Sequence, residues 1–467
     1  MERARKRNIV VSLTSVHRPR GGGRSVPSMG RKDRRRTNRR VIGGSGSAWV
    51  LSSGGTQANL DIDFVNDRAW NGSIVSIPSL LTCTRASIGY YTKADGTLQS
   101  FSNNVLRYGT NGLLVEEART NLCIRSQTLD HADWTKAGTT VTADQIAAPD
   151  GTTTADQIFE TAGGGNIRHI IARQSAVIAS STNTYSIYVK KGTRRYVQLL
   201  IVSTHGFDCY FDFDTGTITD TNVVGSGALT SSSVETLANG WFRLILTGVC
   251  SSDTTPFLHI ALSDRPDNTT GVFQNNSPAY AGSISEYVYA WGAQVEAGAF
   301  ATSYIPTTAS TATRAADAVS MTVASISGFS ATAGTAYEQA TSINLSNNGG
   351  IWTFDNGTSD ERLQRWRFGT SSVKTVSDGG VNILNDTGGT LANGATYKHA
   401  WAFASGDFAW SLDGGVVGTS VAVGFPTVTT LRFGVDSVGS TIWNSYIKRF
   451  AYWNTRLNNA ALQALTT

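Results

Sequence analysis

The chain has 467 residues, with 16% charged, 48 Gly, only 9 Pro and a formal net charge of +5. That charge sums two unlike parts: residues 1–40 hold 14 Lys/Arg against Glu2 and Asp33, or +12, and the other 25 basic and 32 acidic residues leave −7. A body so poor in charge, and rich in Ser, Thr, Gly, Asn and aromatics, suits short strands joined by tight turns and excludes coiled coil, collagen and bulk disorder.

Length alone predicts two to four domains at about 100–200 residues each. No run approaches the roughly 18 apolar residues of a membrane helix, so no membrane partner is expected. Ile9–Val16 follows basic residues as a signal peptide would, but His17-Arg18-Pro19-Arg20 stands where a small-residue cleavage site belongs. Cys83, Cys123, Cys209 and Cys250 form no C-x-x-C and read as buried free thiols, with Cys209–Cys250 the one pair worth testing as a bridge.

Residues 1–47 read as a disordered basic tail, with Gly21-Gly22-Gly23 and Arg34-Arg35-Arg36 among Ser, Pro and Asn. Met29 is an alternative start, which would make residues 1–28 upstream sequence. The tail could dock on an acidic patch of another protein, be inert, or neutralise phosphates. It lacks the interleaved aromatics of a base-stacking surface, so nucleic acid is the least favoured partner.

Residues 48–124 read as a small β-rich lead-in or anchor region. Leu60–Phe64 alternates as a strand, and Asp95-Gly96 turns a hairpin after Tyr90-Tyr91. Residues 125–316 are strand-rich. Tyr185–Lys190 and Tyr196–Val202 are strands, Asn239-Gly240 is a turn before Trp241–Leu246, and Tyr287–Val295 is the last long strand. In Phe207–Phe213 the aromatic and Cys side chains take one face, and Asp208, Tyr210 and Asp212 the other. Residues 317–467 repeat the pattern in Gly350–Phe354, Leu363–Phe368, Lys398–Ala404, Phe408–Leu412, Thr429–Gly434 and Tyr446–Trp453. Asp413-Gly414-Gly415 is a hairpin turn, and Asn459–Leu465 a short helix with Leu462 and Leu465 toward a sheet. Strands without intervening helices, and without a 20–50-residue repeat, make the expected fold all-β, with tandem β-sandwiches after the tail.

Seven strings then carry a resemblance. They are Gly112–Leu122 (with Glu116-Glu117-Ala118-Arg119-Thr120-Asn121), Ala148–Thr152, Tyr188–Gly192, Asn239–Arg243, Trp291–Glu296, Ala301–Thr307 and Thr313–Asp317. In this order they resemble a family of tailed-phage and prophage virion proteins with a carbohydrate-binding-module-like sandwich. Thr84-Arg85-Ala86-Ser87 is similar to the lead-in upstream of it. Ser411–Gly414, Ile447–Trp453 and Arg456-Leu457 are similar to laminin-G/concanavalin-like jelly rolls. The resemblance implies a fibre or spike on the particle surface that binds host-surface polysaccharide. It also implies an N-terminal region held by capsid or tail proteins and a homo-oligomer, with a trimer favoured.

Sugar rings present apolar C–H faces, so glycan sites pair an exposed Trp or Tyr with polar groups. The candidates are Trp352, Trp366, Trp410 and Trp443 in residues 317–467, and Tyr210 in the middle module. Core packing is the competing role for each. Trp366 stands out because Arg365 and Arg367 flank it, offering two donor forks on the face opposite the ring. Asp208, Asp212 and Asp214 are candidates for a Ca2+ site, against a solvated strand face; no other cofactor is expected. Arg119 and Arg314 are expected to form ion pairs that fasten the two ends of the middle module. The neighbours Glu116-Glu117 and Asp360-Glu361 point to opposite strand faces, unsuited to a glycosidase pair. There is no H-E-x-x-H, G-x-S-x-G or Gly-Lys dipeptide. A non-enzymatic role is therefore expected, with a glycan depolymerase on the C-terminal jelly roll or a ligand-free head decoration protein as alternatives.

Overall fold

The computed structural model describes residues 48–175, 177–343 and 348–467. The expectations attached to the basic tail lie outside these residues. The fold is all-β, built as two β-sandwiches. The expected C-terminal helix runs Asn459–Thr466, capped by the Asn458 side chain accepting from the Ala461 N–H, with Leu462 fully buried.

One sandwich is made from the middle of the chain. Its first sheet orders Thr135–Ala137, Ile170–Gln174, Phe257–Ser263, Tyr196–Val202, Gly206–Asp212 and Thr217–Val224. Its second orders Thr139–Ala147, Thr153–Glu160, Tyr287–Ala297, Asn183–Lys191, Trp241–Val249 and Ala228–Thr236. Period-two alternation puts Phe207, Cys209 and Phe211 inside, against Ile187, Leu199, Leu244 and Ile260. The Asn239-Gly240 turn forms as expected, both residues with positive φ (58° and 75°).

The other sandwich is made from both ends of the described chain. Ser445–Trp453 pairs with Ala333–Thr341 in a ten-stranded sheet, and also with Leu60–Asp63 and Gly112–Val115. Leu60 lies opposite Tyr452 and Ile62 opposite Phe450. On the facing seven-stranded sheet, Thr82–Thr84 pairs with Ala318–Thr322. Leu60, Ile62, Leu113 and Val115 share one core with Trp352, Phe354, Trp401, Phe433 and Phe450. The lead-in expected as a region of its own thus belongs to the C-terminal sandwich. Strand backbone groups need partners, and these short strands find theirs in strands far along the chain, Thr84 opposite Ala318, Leu113 opposite Ile447 and Leu60 opposite Tyr452. The middle sandwich is an insertion. Its entry strand Arg119–Asn121 pairs with its exit strand Ala312–Arg314, with Arg119 opposite Arg314.

Below this neck lies a buried polar cluster. Asp317 receives Arg85 Nη1 at 2.8 Å, Arg107 Nη2, and the Glu116 N–H at 2.9 Å. Glu116 receives Arg107 Nη1 at 2.7 Å, with the Ser303 N–H and hydroxyl at 2.8 and 2.6 Å. Three of the recognisable strings (84–87, 112–122 and 313–317) and Ser303 of a fourth therefore converge on one knot. Arg314 lies 3.6 Å from Glu116, the expected ion pair between the two ends, whereas Arg119 pairs with Glu117 of its own segment at 2.5 Å and meets the other end only through the strand pairing.

A second contact braces the insertion. The hairpin Gly89–Thr92/Leu98–Phe101 packs Tyr90 and Leu98 with Tyr188, Leu237, Trp241, Trp291 and Tyr304 of the inserted sandwich. Gly96 at its tip has φ +77°, and a Cβ there would lie 2.3 Å from the Ala238 nitrogen.

Candidate functional site

Neck and brace leave a cleft of about 730 Å³ between the sandwiches. That is the size and the place, a junction between modules, where small-molecule sites concentrate. One wall is the strand pair Ala228–Thr236/Trp241–Val249, which turns Thr230, Ser231, Ser233, Glu235 and Thr247 into the cleft. Ser, Thr and Glu appear here because the opposite face of these strands carries the core residues Leu244 and Leu246. The other wall is Asn444 and Tyr446 of the outer sandwich, with Asn393 and Ile343; Thr92 and Asn111 close one side and Ala299–Ala301 another.

Two aromatic rings reach the cleft, both half-buried: Tyr446 and Phe300. Tyr446 packs edge-on against Tyr91, centroids 5.8 Å apart. Burial, followed by the neighbouring Tyr91 and Glu116, pushes its phenol pKa up, so it is a neutral hydroxyl. Arg119 covers one face of Phe300 at 4.6 Å. Asn444 is held on both sides: its Oδ1 accepts the Glu117 N–H at 2.8 Å and its Nδ2 donates to Glu117 Oε2 at 3.0 Å. Glu235 is exposed, its carboxylate 3.7 Å from Arg243 Nη1.

Glu116 also borders the cleft, so two carboxylates line it. Burial works to raise the Glu116 pKa, but Arg314, Arg107 and the two Ser303 donors outweigh it and hold the carboxyl down at about 2. Glu116 is a fixed anion with its acceptor sites filled, the opposite of the protonated acid that glycoside hydrolysis requires.

The residues singled out from sequence fall elsewhere. Trp352 and Trp443 are fully buried, Trp352 in the outer core. Trp410 is half-buried, with the edge strand Gly418–Ser420 across its indole nitrogen and Lys374 Nζ 4.7 Å from its ring centre. Tyr210 is buried, because the outer face of its sheet is covered rather than solvated: Gln198 on that face donates to the Asn276 carbonyl at 2.7 Å. Trp366 does face outward, half-buried, its indole N–H on Thr375 Oγ1 at 2.9 Å. Arg365 and Arg367 do point the other way, but into the sandwich. They are 0% and 1% exposed, so neither is a donor fork for a surface ligand. Strand alternation was legible, but which face was the core was not.

The three aspartates do not converge. Asp208 accepts from Gln198 and Asn222, both at 2.9 Å, Asp212 pairs with Arg195 at 2.8 Å, and Asp214 pairs with Lys191. No cluster of three or more metal-type ligands occurs among the described residues. All four cysteines are buried free thiols, and Cys209–Cys250 is not a bridge.

Sequence reasoning missed Tyr446, Phe300, Glu235 and Asn444. Only Tyr446 left a signal, as an alternating strand residue among apolar neighbours, which is also the signal of a core residue.

No protein-family model and no curated protein matches the chain. Among solved structures, the chain is similar to the Ruminococcus gnavus IT-sialidase CBM40 bound to α2,3-sialyllactose, at 13% identity over 30% of this chain and 84% of that one, TM-score 0.26. Domains LG4-5 of the mouse laminin α1 chain align at 9% identity over 61% of this chain and 84% of theirs, TM-score 0.21. Trypanosoma rangeli sialidase in complex with sialic acid aligns at 11% identity over 81% of this chain and 76% of that one, TM-score 0.26. Likeness at this level carries no function to the present chain.

Proposed function

We propose that this chain binds glycan in the cleft between its sandwiches without cleaving it, as an attachment protein on the surface of a phage particle. The observation that carries the binding reading is the chemistry of the cleft. Its walls offer Ser and Thr hydroxyls, Asn side chains and one exposed carboxylate beside two ring faces. A sugar needs this mixture, polar groups for its hydroxyls and rings for its C–H faces. The ionised, fully occupied Glu116 supports binding over hydrolysis. The seven ordered strings support the particle context, with host-surface polysaccharide as the glycan. A homo-oligomer, as a trimer, would multiply a weak cleft affinity into avidity.

The test is binding of host-surface polysaccharide to the full chain, beside variants Tyr446→Ala and Glu235→Gln. Loss of binding in both is the expected result, with the unfolding midpoint unchanged in Glu235→Gln and only modestly lowered in Tyr446→Ala, whose ring packs on Tyr91. Wild-type binding that neither substitution moves would overturn the cleft assignment. Immuno-electron microscopy of particles tests the location, and absence from particles would overturn it.

A further inference from the structure

We propose that the outer sandwich binds a small monovalent inorganic anion, chloride being the natural example, between Arg367, Ser372 and Tyr397 in the space its two sheets enclose. The site is separate from the cleft and does not rest on the glycan reading.

The argument starts from charge. Arg365, Arg367 and Lys374 all point inward and are 0–1% exposed. Glu338, on the facing sheet, stands 2.9 Å from Arg365 Nε as an ion pair without hydrogen-bond geometry and accepts the Trp352 indole N–H at 3.0 Å. Asp386 takes Lys374 Nζ at 2.5 Å. His399 also faces Glu338, at 3.3 Å, but burial drives its pKa down to about 4, so at neutral pH it adds no charge. Three cations therefore meet two carboxylates, and Arg367 is the one left over. Among the described residues it has no carboxylate partner. It stacks over Trp443 at 5.2 Å, which engages the face of the guanidinium and leaves Nε and Nη1 unpaired.

The hydrogen-bond inventory points to the same place. Arg367 Nε and Nη1, Arg365 Nη2, Ser372 Oγ and the Tyr397 hydroxyl are buried without a partner. Ser372 lies directly opposite Arg367 on the adjacent strand, on the same face. Tyr397 lies under Arg365 at 5.7 Å and edge-on to Trp443 at 6.3 Å. The two carboxylate oxygens of the cluster that also lack a hydrogen bond, Glu338 Oε1 and Asp386 Oδ2, already stand in ion pairs, and the groups left over can all donate. A buried unpaired guanidinium is among the costliest defects a core can carry, and each orphaned donor adds to it. Water would accept the hydrogen bonds but leave the charge. An anion answers both, and the burial of all its neighbours restricts it to an ion of one or a few atoms. Burial already pulls the Arg367 guanidinium down to about 10.

The test is thermal unfolding of the full chain at constant ionic strength, with gluconate replaced stepwise by chloride or bromide. The midpoint rises with halide, and above the dissociation constant each tenfold rise in halide multiplies the folding constant by about ten. Arg367→Met flattens the dependence. Tyr397→Phe keeps the ring, removes one donor and moves the dependence to higher halide, which decides the matter if Arg367→Met does not fold. Crystals grown in bromide carry an anomalous peak beside Arg367. Equal midpoints in all three salts, a dependence that survives both substitutions, or ordered water alone at that position would overturn the proposal.

Discussion

Arg85 and Asp317 stand 232 positions apart and meet at 2.8 Å, both side chains at most 2% exposed. The pair ties the lead-in to the first residues after the inserted sandwich, so one contact records how the chain closes on itself. Asp317 also anchors Arg107 and the Glu116 N–H. Asp317→Ala leaves two buried guanidinium groups short of an acceptor and is expected to cost about 3–5 kcal/mol. Urea unfolding of the full chain measures it; a loss below 1 kcal/mol would show that the knot is not a stability element.

Aromatic substitutions separate site from core. Trp352→Ala removes a ring packed against Trp401, Phe354 and Phe450 and is expected to destabilise by about 3–5 kcal/mol. Tyr446→Ala lines the cleft and is expected to reduce glycan binding at least tenfold with a smaller loss of stability. Trp366→Ala lies on the outer sheet face and should leave cleft binding unchanged. Unfolding midpoints beside binding isotherms sort the three.

Two carboxylates give opposite pH signatures. Glu116 is depressed from 4.5 to about 2, so its stabilisation is present above pH 4.5 and is lost as pH falls toward 2. Asp208 is raised from 3.8 to about 6, by burial first, against hydrogen bonds from Asn222 and Gln198. Its ionisation therefore opposes folding, and stability from this group is gained as pH falls from 6 toward 3.8. The stability difference between wild type and Glu116→Gln is expected to shrink between pH 4.5 and 2. Relative to Asp208→Asn, wild type is expected to gain between pH 6 and 3.8. Denaturant midpoints across pH 2–8 check both signs.

Gly96→Ala places a methyl 2.3 Å from the Ala238 backbone nitrogen at a φ of +77°. The hairpin must shift off the inserted sandwich, at a cost above the roughly 1 kcal/mol of a left-handed alanine alone. Faster proteolysis near residues 93–97, together with weaker cleft binding, is the expected readout.

Burial pushes the Cys83 thiol up to about 11 and the Cys123 and Cys250 thiols to about 12. Without thiolate they are poor nucleophiles. A thiol reagent at pH 8 should label none of the four cysteines in native protein and all four in denaturant.

Much of the fold was legible one strand at a time. Phe207–Phe213 placed its core face correctly, Asn239-Gly240 and Asp413-Gly414 turned where turn chemistry required, and Leu462 faced the sheet. Arg365 and Arg367 were rightly set opposite Trp366. These are local statements, because the alternation of side chains and the left-handed tolerance of Asn and Gly act within a few residues.

What only the tertiary structure decided is which strands meet. Period two is the same for every strand, so nothing in Leu60–Asp63 names Ser445–Trp453 as its neighbour, and nothing in Thr82–Thr84 names Ala318–Thr322. Nor does alternation say which face is wet: Arg365 and Arg367 are inside because the ten-stranded sheet supplies Glu338 and a second wall. The cleft, walled by residues 92, 235, 300 and 446, exists only once the insertion is spliced at Arg119 and Arg314. Sequence by itself determined strands, turns and a basic tail on an acidic body. Long-range pairing, driven by the need to satisfy backbone groups and bury one face of each sheet, decided the nesting, the buried charges and the site.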